Sequence, residues 1–210
     1  MEFELISSSH IIKRRWDING TLVVMPFTDP MQAQRAARLM AQRAAADGLI
    51  LCVHDDHGDG FVNIVNRVFQ QSESDWFCYV AQDALAGRRW LAIALHALEK
   101  KIGGLLSFND GKWYGQLAAF GLARRSWVRK HYAGDFFHSG YRRHYADVEL
   151  TLLALQEKCL VYNPDAVLVE VDWEKDIASV DAHDRAQFLQ RVMTQFDGKV
   201  TNTTLLQRFS

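Results

Sequence analysis

The sequence predicts an α/β fold in which a mostly parallel sheet is flanked by helices in a single domain. Three apolar runs support this prediction: Thr21–Met25, Leu49–Val53 and Trp76–Val80. Fully buried parallel strands have continuous apolar sequences, and a stretch with helical spacing follows each of these runs. Such an alternation of strands and helices builds a parallel sheet through right-handed crossovers.

The first half of the chain supplies this alternation in order. Three stretches carry apolar residues at helical spacing: Met31–Ala46, Phe61–Gln71 and Trp90–Lys101. The prolines of Pro26–Pro30 predict a turn before the first helix, and the acids and glycines of His54–Gly60 predict a loop before the second. The predicted order is strand, helix, strand, helix, strand, helix.

The second half has a less regular pattern. Gly103–Phe108 predicts a short strand that ends at an Asn-Asp-Gly turn, and Trp113–Ala123 is compatible with strand or loop. Helices are predicted at Arg124–Arg129 and Ala146–Glu157. Between them, His131–Tyr145 is rich in Gly, His, Tyr and Arg, which indicates an ordered but irregular segment over a site.

The C-terminal part combines strand and helix signals. Leu160–Tyr162 and Ala166–Val171 have strand composition, and the turn signal at Asn163–Asp165 predicts that they are separate strands. Ala182–Gln195 predicts an amphipathic helix. Gly198–Ser210 is expected to be a weakly held tail.

Length and composition favour one domain of 210 residues without a linker. The net charge of −1 and the charged fraction of 23% provide no general attraction to nucleic acid or to an anionic membrane. The N-terminal residues have no signal-peptide pattern, and no apolar stretch approaches the roughly 20 residues that span a bilayer. The three cysteines lack metal-binding spacing and are expected to be buried thiols. These features predict a cytoplasmic protein.

Acidic residues follow the three strand-like runs. Asp29 comes after the first run, Asp55 and Asp56 come after the second, and Asp83 comes after the third. Because the carboxyl ends of parallel strands meet at one edge of a sheet, these carboxylates are expected to converge there. Their mutual repulsion requires a polar ligand, a divalent cation or nearby basic groups. The sequence therefore predicts a ligand site at this edge.

The order of several motifs resembles a known enzyme family. These motifs are Val23–Pro26, His54–Gly60, Asn66, Asp83 and Tyr145–Leu150. Together they are similar to the inverting, family 2 glycosyltransferases of the GT-A fold, over about residues 20–173, followed by a C-terminal helix and tail over 174–210. The resemblance implies that residues 1–210 form one domain that transfers a sugar from a nucleotide-diphosphate sugar to a hydroxyl acceptor, with inversion and with Mn²⁺ or Mg²⁺.

The resemblance implies a set of donor-binding residues. Carboxylates suit this role because they accept hydrogen bonds from ribose hydroxyls or from a base N–H. The alternative for Asp55 and Asp56 is a solvated turn, since Asp and Gly favour turns. The implied donor-binding residues are Pro26, Thr28, Asp55, Asp56, Asn66, Gln82 and Asp83.

The family's metal motif is an acid pair after the third strand, and here only Asp83 matches it because Ala81 replaces the first acid. One carboxylate with phosphate and water can hold Mg²⁺ or Mn²⁺, and Gln82 could add a neutral oxygen. The histidine that the family often places near the end of the last core strand is missing, so either Asp172 replaces it, His183 reaches in from the following segment, or metal binding is reduced. The alternative for Asp83 is an N-cap of the following helix.

The family's second acidic motif supplies the general base that deprotonates the acceptor hydroxyl. Asp147 matches the last acid of that motif, and Glu149 is a second candidate for the base. The alternative is that both acids only stabilise the first turn of a helix through its dipole.

Basic and aromatic residues are candidates for contacts with the diphosphate or the acceptor. Arg142, Arg143 and His144 would neutralise charge on the leaving group, and Trp113 would stack on a sugar. The alternatives are a solvated basic surface and a core tryptophan. A glycan, a lipid-linked acceptor and a nucleic-acid hydroxyl all fit this mixture of residues.

Two other functions stay open at this point. A non-catalytic nucleotide-sugar or glycan-binding domain of the same fold is favoured by the missing first acid of the metal motif. A nucleotidyltransferase is the weakest alternative, because Pro26–Pro30 lacks the Gly-rich, basic phosphate loop that such an enzyme needs.

Overall fold

The computed structural model describes residues 1–171 and 181–209. Within this part of the chain, the strands are β1 (Glu2–Ser7), β2 (Trp16–Asp17), β3 (Thr21–Phe27), β4 (Gly48–His54), β5 (Ser72–Glu73), β6 (Trp76–Tyr79), β7 (Ala84–Ala86), β8 (Leu105–Asn109), β9 (Gly121–Arg124) and β10 (Leu160–Glu170). The α-helices are α1 (Pro30–Arg43), α2 (Phe61–Gln70), α3 (Trp90–Lys101), α4 (Arg125–Val128), α5 (Ala146–Gln156), α6 (Ala182–Met193), α7 (Gln195–Gly198) and α8 (Thr203–Leu206). A 3₁₀ helix covers Ser8–Lys13.

An eight-stranded sheet with the order β1-β4-β3-β6-β9-β8-β10-β7 forms the centre of the molecule. β1, β4, β3 and β6 are mutually parallel, and β8 is parallel to β10. β9 runs antiparallel to both of its neighbours, and β7 is an antiparallel edge strand beside β10. This mostly parallel sheet flanked by helices confirms the predicted α/β fold class.

The three apolar runs form the adjacent strands β4, β3 and β6, and both faces of these strands are covered. Leu22 and Val24 of β3 face the layer built by α2 and α5, whereas Val23 and Met25 face the layer built by α1 and α3. All seven residues of β3 are therefore buried. This two-sided burial explains why the run is continuously apolar rather than alternating.

The structure differs from the predicted strands at β10 and β1, and the short strands β2, β5 and β7 were not predicted either. β10 is one strand, but its register against β8 shifts between Tyr162 and Val167, so the turn signal marks an irregularity inside the strand. There the Asn109 side chain of β8 donates a hydrogen bond to the Pro164 carbonyl at 2.9 Å. β1 was not predicted, because an edge strand with half-exposed residues has no apolar run.

The expectation of a weakly held tail is wrong. Phe196 and Val200 are fully buried, and Leu205, Leu206 and Phe209 pack against the same core. The C-terminal residues thus form part of the layer that contains α2 and α5.

In the described part of the chain, the helices are too short or too polar to cross a membrane.

Candidate functional site

A cavity of about 800 Å³ lies at the carboxyl ends of β3, β4 and β6, with the first turn of α5 as another wall. It brings together nine of the residues predicted from sequence. These are Pro26, Thr28, Asp55, Gln82, Asp83, Trp113, Arg143, His144 and Asp147. Of the four strand-end carboxylates that were expected to converge, Asp55 and Asp83 line this cavity, whereas Asp29 and Asp56 do not.

A second concavity, of about 860 Å³, lies near the start of β6, at the opposite end of that strand. Two of its charged side chains, Glu73 and Arg129, bind each other. Arg129 donates two hydrogen bonds to Glu73, at 2.7 and 2.8 Å, and Arg15 contacts the same carboxylate at 3.3 Å. Because these charges compensate each other, the cavity at the carboxyl ends is the better candidate site.

Gln82 joins the loops that follow β3 and β6. Its side-chain oxygen accepts hydrogen bonds from the backbone N–H groups of Thr28 at 2.8 Å and Asp29 at 3.0 Å. An amide oxygen has two lone pairs, and both are used here. Gln82 therefore shapes the cavity wall, and its oxygen is not available as a neutral metal ligand.

Asp29 does not point its charge into the cavity. It is the N-cap of α1, where its carboxylate accepts hydrogen bonds from the N–H groups of Met31 at 2.9 Å and Gln32 at 3.1 Å. These bonds satisfy donors that the first helical turn leaves free.

Asp55 both closes a loop and lines the cavity. Its two carboxylate oxygens accept hydrogen bonds from the backbone of Asp59 at 2.6 Å and of Gly60 at 3.0 Å. These two bonds agree with the alternative that Asp55 is part of a turn. Each oxygen retains a further lone pair that can accept a hydrogen bond from a ligand.

Asp56 lies outside the cavity lining, although it is adjacent to Asp55. Its carboxylate accepts hydrogen bonds from the hydroxyls of Ser7 at 2.6 Å and Ser8 at 3.0 Å. The Ser7 hydrogen bond, aided by Ser8, lowers the pKa of Asp56 to about 2. Asp56 therefore ties the loop after β4 to the N-terminal strand rather than facing a nucleoside.

Asn66 is buried and holds the aromatic segment Phe136-Phe137. Its amide donates to the Phe137 carbonyl at 3.0 Å, and its oxygen accepts from the N–H groups of Phe136 at 3.1 Å and Phe137 at 2.8 Å. Phe137 in turn lines the cavity. Asn66 thus supports the cavity wall through its bonds to the backbone of Phe137, but it does not itself line the cavity.

Asp83 is half-buried and lines the cavity directly after the turn that follows β6. The alternative of a helix N-cap is wrong, because the next three residues form strand β7 and α3 begins only at Trp90, after Arg89. The carboxylate of Asp83 is therefore placed by the sheet edge and not by a helix.

The two acids in the first turn of α5 point to different places. Residues two apart on a helix are separated by about 200° around its axis, so they cannot share a face. Asp147 is half-buried and lines the cavity, where its charge contributes to raising the pKa of the buried Tyr79, an effect in which burial is the larger cause.

Glu149 is fully buried on the side of α5 that faces α6. It accepts hydrogen bonds from Arg191 at 2.6 and 3.1 Å and from the Tyr141 hydroxyl at 2.8 Å. A carboxylate held by these three bonds does not reach the cavity. The structure thus provides no support for Glu149 as a base, and it leaves Asp147 as the candidate.

The segment before α5 carries the basic candidates. Arg143 and His144 line the cavity, whereas Arg142 is exposed outside the lining. A buried carboxylate on α6, that of Asp184, accepts hydrogen bonds from all three backbone N–H groups of this segment. Sequence analysis did not identify Asp184, since nothing local distinguishes it from an ordinary acid in a first helical turn.

Trp113 is held at the cavity by a buried aspartate. Asp110 accepts hydrogen bonds from the N–H groups of Lys112 at 2.9 Å and Trp113 at 2.8 Å. The Trp113 ring packs edge-on against Phe209, with centroids 6.4 Å apart. Lys112 and Phe209 also line the cavity, and the sequence analysis named neither of them as a site residue.

The side chains of the cavity fit a cation that would be coordinated mainly by the oxygens of a diphosphate. Among residues 1–171 and 181–209, no group of three or more His, Cys, Asp or Glu side chains is arranged to hold a metal. A divalent cation can be held by one carboxylate together with phosphate and water, and Asp83 is a carboxylate that lines the cavity. His183 lies on α6 outside the cavity lining, with Nε2 3.3 Å from the Gly140 carbonyl, and Asp172 lies outside the described residues.

The sequence matches no family model and no curated protein. The structure is similar to that of the mannosyltransferase PcManGT from Pyrobaculum calidifontis in complex with GDP-Man and Mn²⁺, with a TM-score of 0.53 at 15% identity over 88% of this chain. It is also similar to residues 1–349 of S. aureus TarS in complex with UDP-GlcNAc, with a TM-score of 0.64 at 10% identity over 90% of this chain. A second TarS structure gives a TM-score of 0.58 at 10% identity over 88% of this chain.

The chain spans 66% of the mannosyltransferase, 71% of the shorter TarS structure and 44% of the longer one. At 10–15% identity, the likeness concerns the fold. The chain therefore has the GT-A-like fold of glycosyltransferases.

Proposed function

We propose that this chain is a glycosyltransferase that moves a sugar from a nucleotide-diphosphate sugar to a hydroxyl acceptor, with inversion at the anomeric carbon. One observation carries the proposal. Asp147 shares a single cavity with a strand-end carboxylate, Asp83, and with the basic pair Arg143 and His144. This combination supplies a base, a group for a cation and cationic groups for a leaving diphosphate.

The strand ends suit the nucleoside and the diphosphate. Pro26, Thr28 and Asp55 line one side of the cavity, where Asp55 can accept hydrogen bonds from ribose hydroxyls or a base N–H. Arg143 and His144 line the side next to α5 and are placed to compensate the negative charge of the diphosphate. Asp83 would hold Mn²⁺ or Mg²⁺, which when bound neutralises charge on the diphosphate oxygens.

Asp147 is the proposed general base. Its carboxylate takes the proton of the acceptor hydroxyl while that oxygen forms a bond to the anomeric carbon. The bond from the anomeric carbon to the diphosphate oxygen breaks on the opposite face, and its electron pair stays on the diphosphate. Arg143 and His144, which line the same cavity, stabilise this developing charge.

The cavity wall next to Asp147 suits a sugar or another flat, partly apolar group on the acceptor. Trp113 and Phe209 meet there edge to face, and Tyr145 stacks on the buried Phe188 with centroids 4.8 Å apart. Aromatic faces bind sugar rings through their apolar C–H surfaces. A glycan, a lipid-linked acceptor and a nucleic-acid hydroxyl are the acceptor classes to compare.

A thermal-shift screen tests the donor half of the proposal. UDP-, GDP-, CMP- and dTDP-sugars are compared with and without Mn²⁺. A ligand at about 100 times its dissociation constant stabilises the folded state by roughly 2.7 kcal/mol, which for a domain of this size raises Tm by roughly 5–10 °C. A shift with UDP-, GDP- or dTDP-sugars supports the proposal. A shift with CMP-sugars alone, which carry a monophosphate, or no shift with any of the four classes would contradict it.

A non-catalytic nucleotide-sugar or glycan-binding domain is the second candidate. It is favoured by Ala81, which stands where the family's metal motif has its first acid. A nucleotide-sugar-binding domain also binds the donor, but only a transferase turns it over. The two are distinguished by incubating the protein with the donor that binds, Mn²⁺ and acceptors of the three classes, and measuring the release of nucleoside diphosphate.

A further inference from the structure

Asp184 is a fully buried carboxylate with an unusual set of partners. One oxygen accepts a hydrogen bond from the Arg142 N–H at 2.9 Å. The other accepts from the N–H groups of Arg143 and His144, both at 2.8 Å. Three successive backbone donors thus converge on one negative charge, as in the anion-binding nests that other proteins use for phosphates.

The segment that Asp184 holds leads directly into the cavity. The side chains of Arg143 and His144 line the cavity, and the next residue, Tyr145, has a φ of 65° that turns the chain into α5. Asp147 follows in the first turn of that helix. The orientation of the backbone at 142–144 therefore determines where the Arg143 and His144 side chains and the start of the α5 helix lie.

The same segment also contacts the loop on the other side of the cavity. The Arg142 carbonyl accepts a hydrogen bond from the Val62 N–H at 3.0 Å, at the start of α2. Gly60 precedes α2 with a φ of 84°, and a Cβ there would lie 3.0 Å from the Arg142 carbonyl oxygen. Gly60 also donates its N–H to Asp55. Asp184 thus holds a segment that packs against the Asp55 loop.

α6 is anchored to the core independently of Asp184. Arg191, two turns further along α6, pairs with the buried Glu149 at 2.6 Å, and Phe188 packs in the core next to Tyr145 and Phe196. Loss of the Asp184 carboxylate therefore leaves the helix attached. Its effect is expected to concentrate on the three N–H groups that would lose their acceptor.

We propose that Asp184 is a positioning residue for the donor site: its carboxylate orients the backbone at 142–144 so that Arg143 and His144 face the leaving diphosphate. The proposal rests on the proposed function for the role of these two side chains. It adds a residue on a separate helix, about 40 positions along the chain, that acts on the donor only through the segment it holds.

Hydrogen exchange tests the positioning without any ligand. Because the N–H groups of Arg142, Arg143 and His144 are bonded to a buried carboxylate, they should be protected in the wild-type protein. In Asp184→Asn, an amide group replaces one acceptor oxygen, and protection at these positions should fall while that of β3 and β4 is unchanged. Rapid exchange at 142–144 in the wild type would overturn the proposal without any variant.

Donor binding and turnover test the consequence for the site. The probes are GDP-Man and UDP-GlcNAc, each with Mn²⁺, and binding is measured by calorimetry well below Tm. In Asp184→Asn the dissociation constant should rise about 10- to 100-fold, as for other residues that orient direct ligands. kcat should fall as well, by up to about 10²-fold, because the start of α5 is displaced.

Asp181→Ala is the matched control. Asp181 is the N-cap of α6, and its carboxylate accepts a hydrogen bond from the His183 N–H at 2.8 Å. Its removal should lower Tm by about 2–4 °C but leave the bonds from Asp184 to 142–144 in place. Donor binding should then equal that of the wild type. If Asp181→Ala weakened binding as much as Asp184→Asn, Asp184 would be only a stabiliser of α6.

A double-mutant cycle with Arg143→Ala tests whether Asp184 affects donor binding through the Arg143 side chain. If Asp184 acts through Arg143, Asp184→Asn should weaken donor binding much less in the Arg143→Ala background than in the wild type. Fully additive losses would overturn the proposal. Failure of the wild type to bind any nucleotide sugar would instead contradict the proposed function, while the exchange data would still report whether Asp184 holds the segment.

Discussion

Asp147 and Glu149 lie two residues apart on α5, and their surroundings assign them different chemistry. Asp147 lines the cavity, where a proton can move to and from a ligand. Glu149 is fully buried in a bonded pair with Arg191 and is therefore bound to a structural partner. At the scale of single residues, burial and partner identity thus separate a candidate base from a structural ion pair.

Asp147→Asn should abolish most turnover and leave donor binding nearly intact. A general base acts only in the transition state, and its removal typically costs about 10²–10⁴-fold in rate. The measurements are nucleoside diphosphate release and the donor dissociation constant. Equal losses of binding and turnover would contradict the role of Asp147 as base.

Glu149→Gln is the comparison variant for Asp147→Asn. Removing one partner of a buried ion pair costs up to about 3–5 kcal/mol of folding stability, although Arg191 keeps its second contact with Asp197 at 2.7 Å. Glu149→Gln should therefore lower the free energy of unfolding in urea, whereas Asp147→Asn should change it little. If Asp147→Asn lowered the free energy of unfolding and Glu149→Gln did not, the assignments of the two acids would be exchanged.

Asp83→Ala should remove the metal-dependent part of donor binding. The thermal shift with a bound nucleotide sugar should no longer depend on Mn²⁺, because Asp83 is the carboxylate that follows β6 at the cavity. Addition of EDTA to the wild type should give the same reduced shift. An Mn²⁺ dependence that persists in Asp83→Ala would remove this residue from the cation site.

At the scale of elements, contacts between distant segments shape the cavity. Gln82 connects the loops after β3 and β6, Asn66 of α2 holds the segment at 136–137, and Asp184 of α6 holds the segment at 142–144. In each case a side chain satisfies backbone N–H groups of a segment without regular structure. Irregular segments need such partners because their buried polar groups are not paired by a ladder or a helix.

Asn66→Ala should destabilise the fold and perturb the aromatic wall of the cavity. It leaves the N–H groups of Phe136 and Phe137 and one carbonyl without their bonds to the Asn66 side chain, and each unsatisfied buried group costs about 1–3 kcal/mol. The unfolding free energy should thus fall by roughly 3 kcal/mol or more. A loss under about 1 kcal/mol in Asn66→Ala would contradict this account.

At the scale of the whole molecule, stability should depend on pH through two histidines. Burial lowers the pKa of His131, opposed by the charge of Glu157, and burial together with Arg191 lowers the pKa of His138. In the unfolded chain both return to a pKa of about 6.5. The unfolded state then binds more protons than the folded state below about pH 6.5, so the unfolding free energy should decrease as the pH falls from about 7 to about 5.

Urea unfolding at a series of pH values measures this dependence. His131→Gln combined with His138→Gln should flatten the curve between about pH 7 and about pH 5, because the groups that titrate in this range are removed. A wild-type stability that stays constant or rises as the pH falls through this range would contradict the assignment.

Sequence alone determined the elements that local pattern specifies. The strands β3, β4 and β6 follow from continuous apolar runs, and α3 has the predicted bounds Trp90–Lys101. The edge of the sheet at which Asp55, Asp83 and Pro26 meet also followed from sequence, because parallel strands present their carboxyl ends together. Helical spacing placed Asp147 in the first turn of α5, where it lines the cavity.

Only the tertiary structure decided which polar residues face the cavity. Asp56, Asn66 and Glu149 have the same residue types and local patterns as the residues that line it, but they bind Ser7, Phe137 and Arg191 instead. The partners of Asn66 and Glu149 lie 71 and 42 residues away along the chain. The role of Asp184 could not be predicted from the sequence for the same reason. It depends on which hydrogen-bond donors the fold brings to the carboxylate, and local sequence does not encode these long-range contacts.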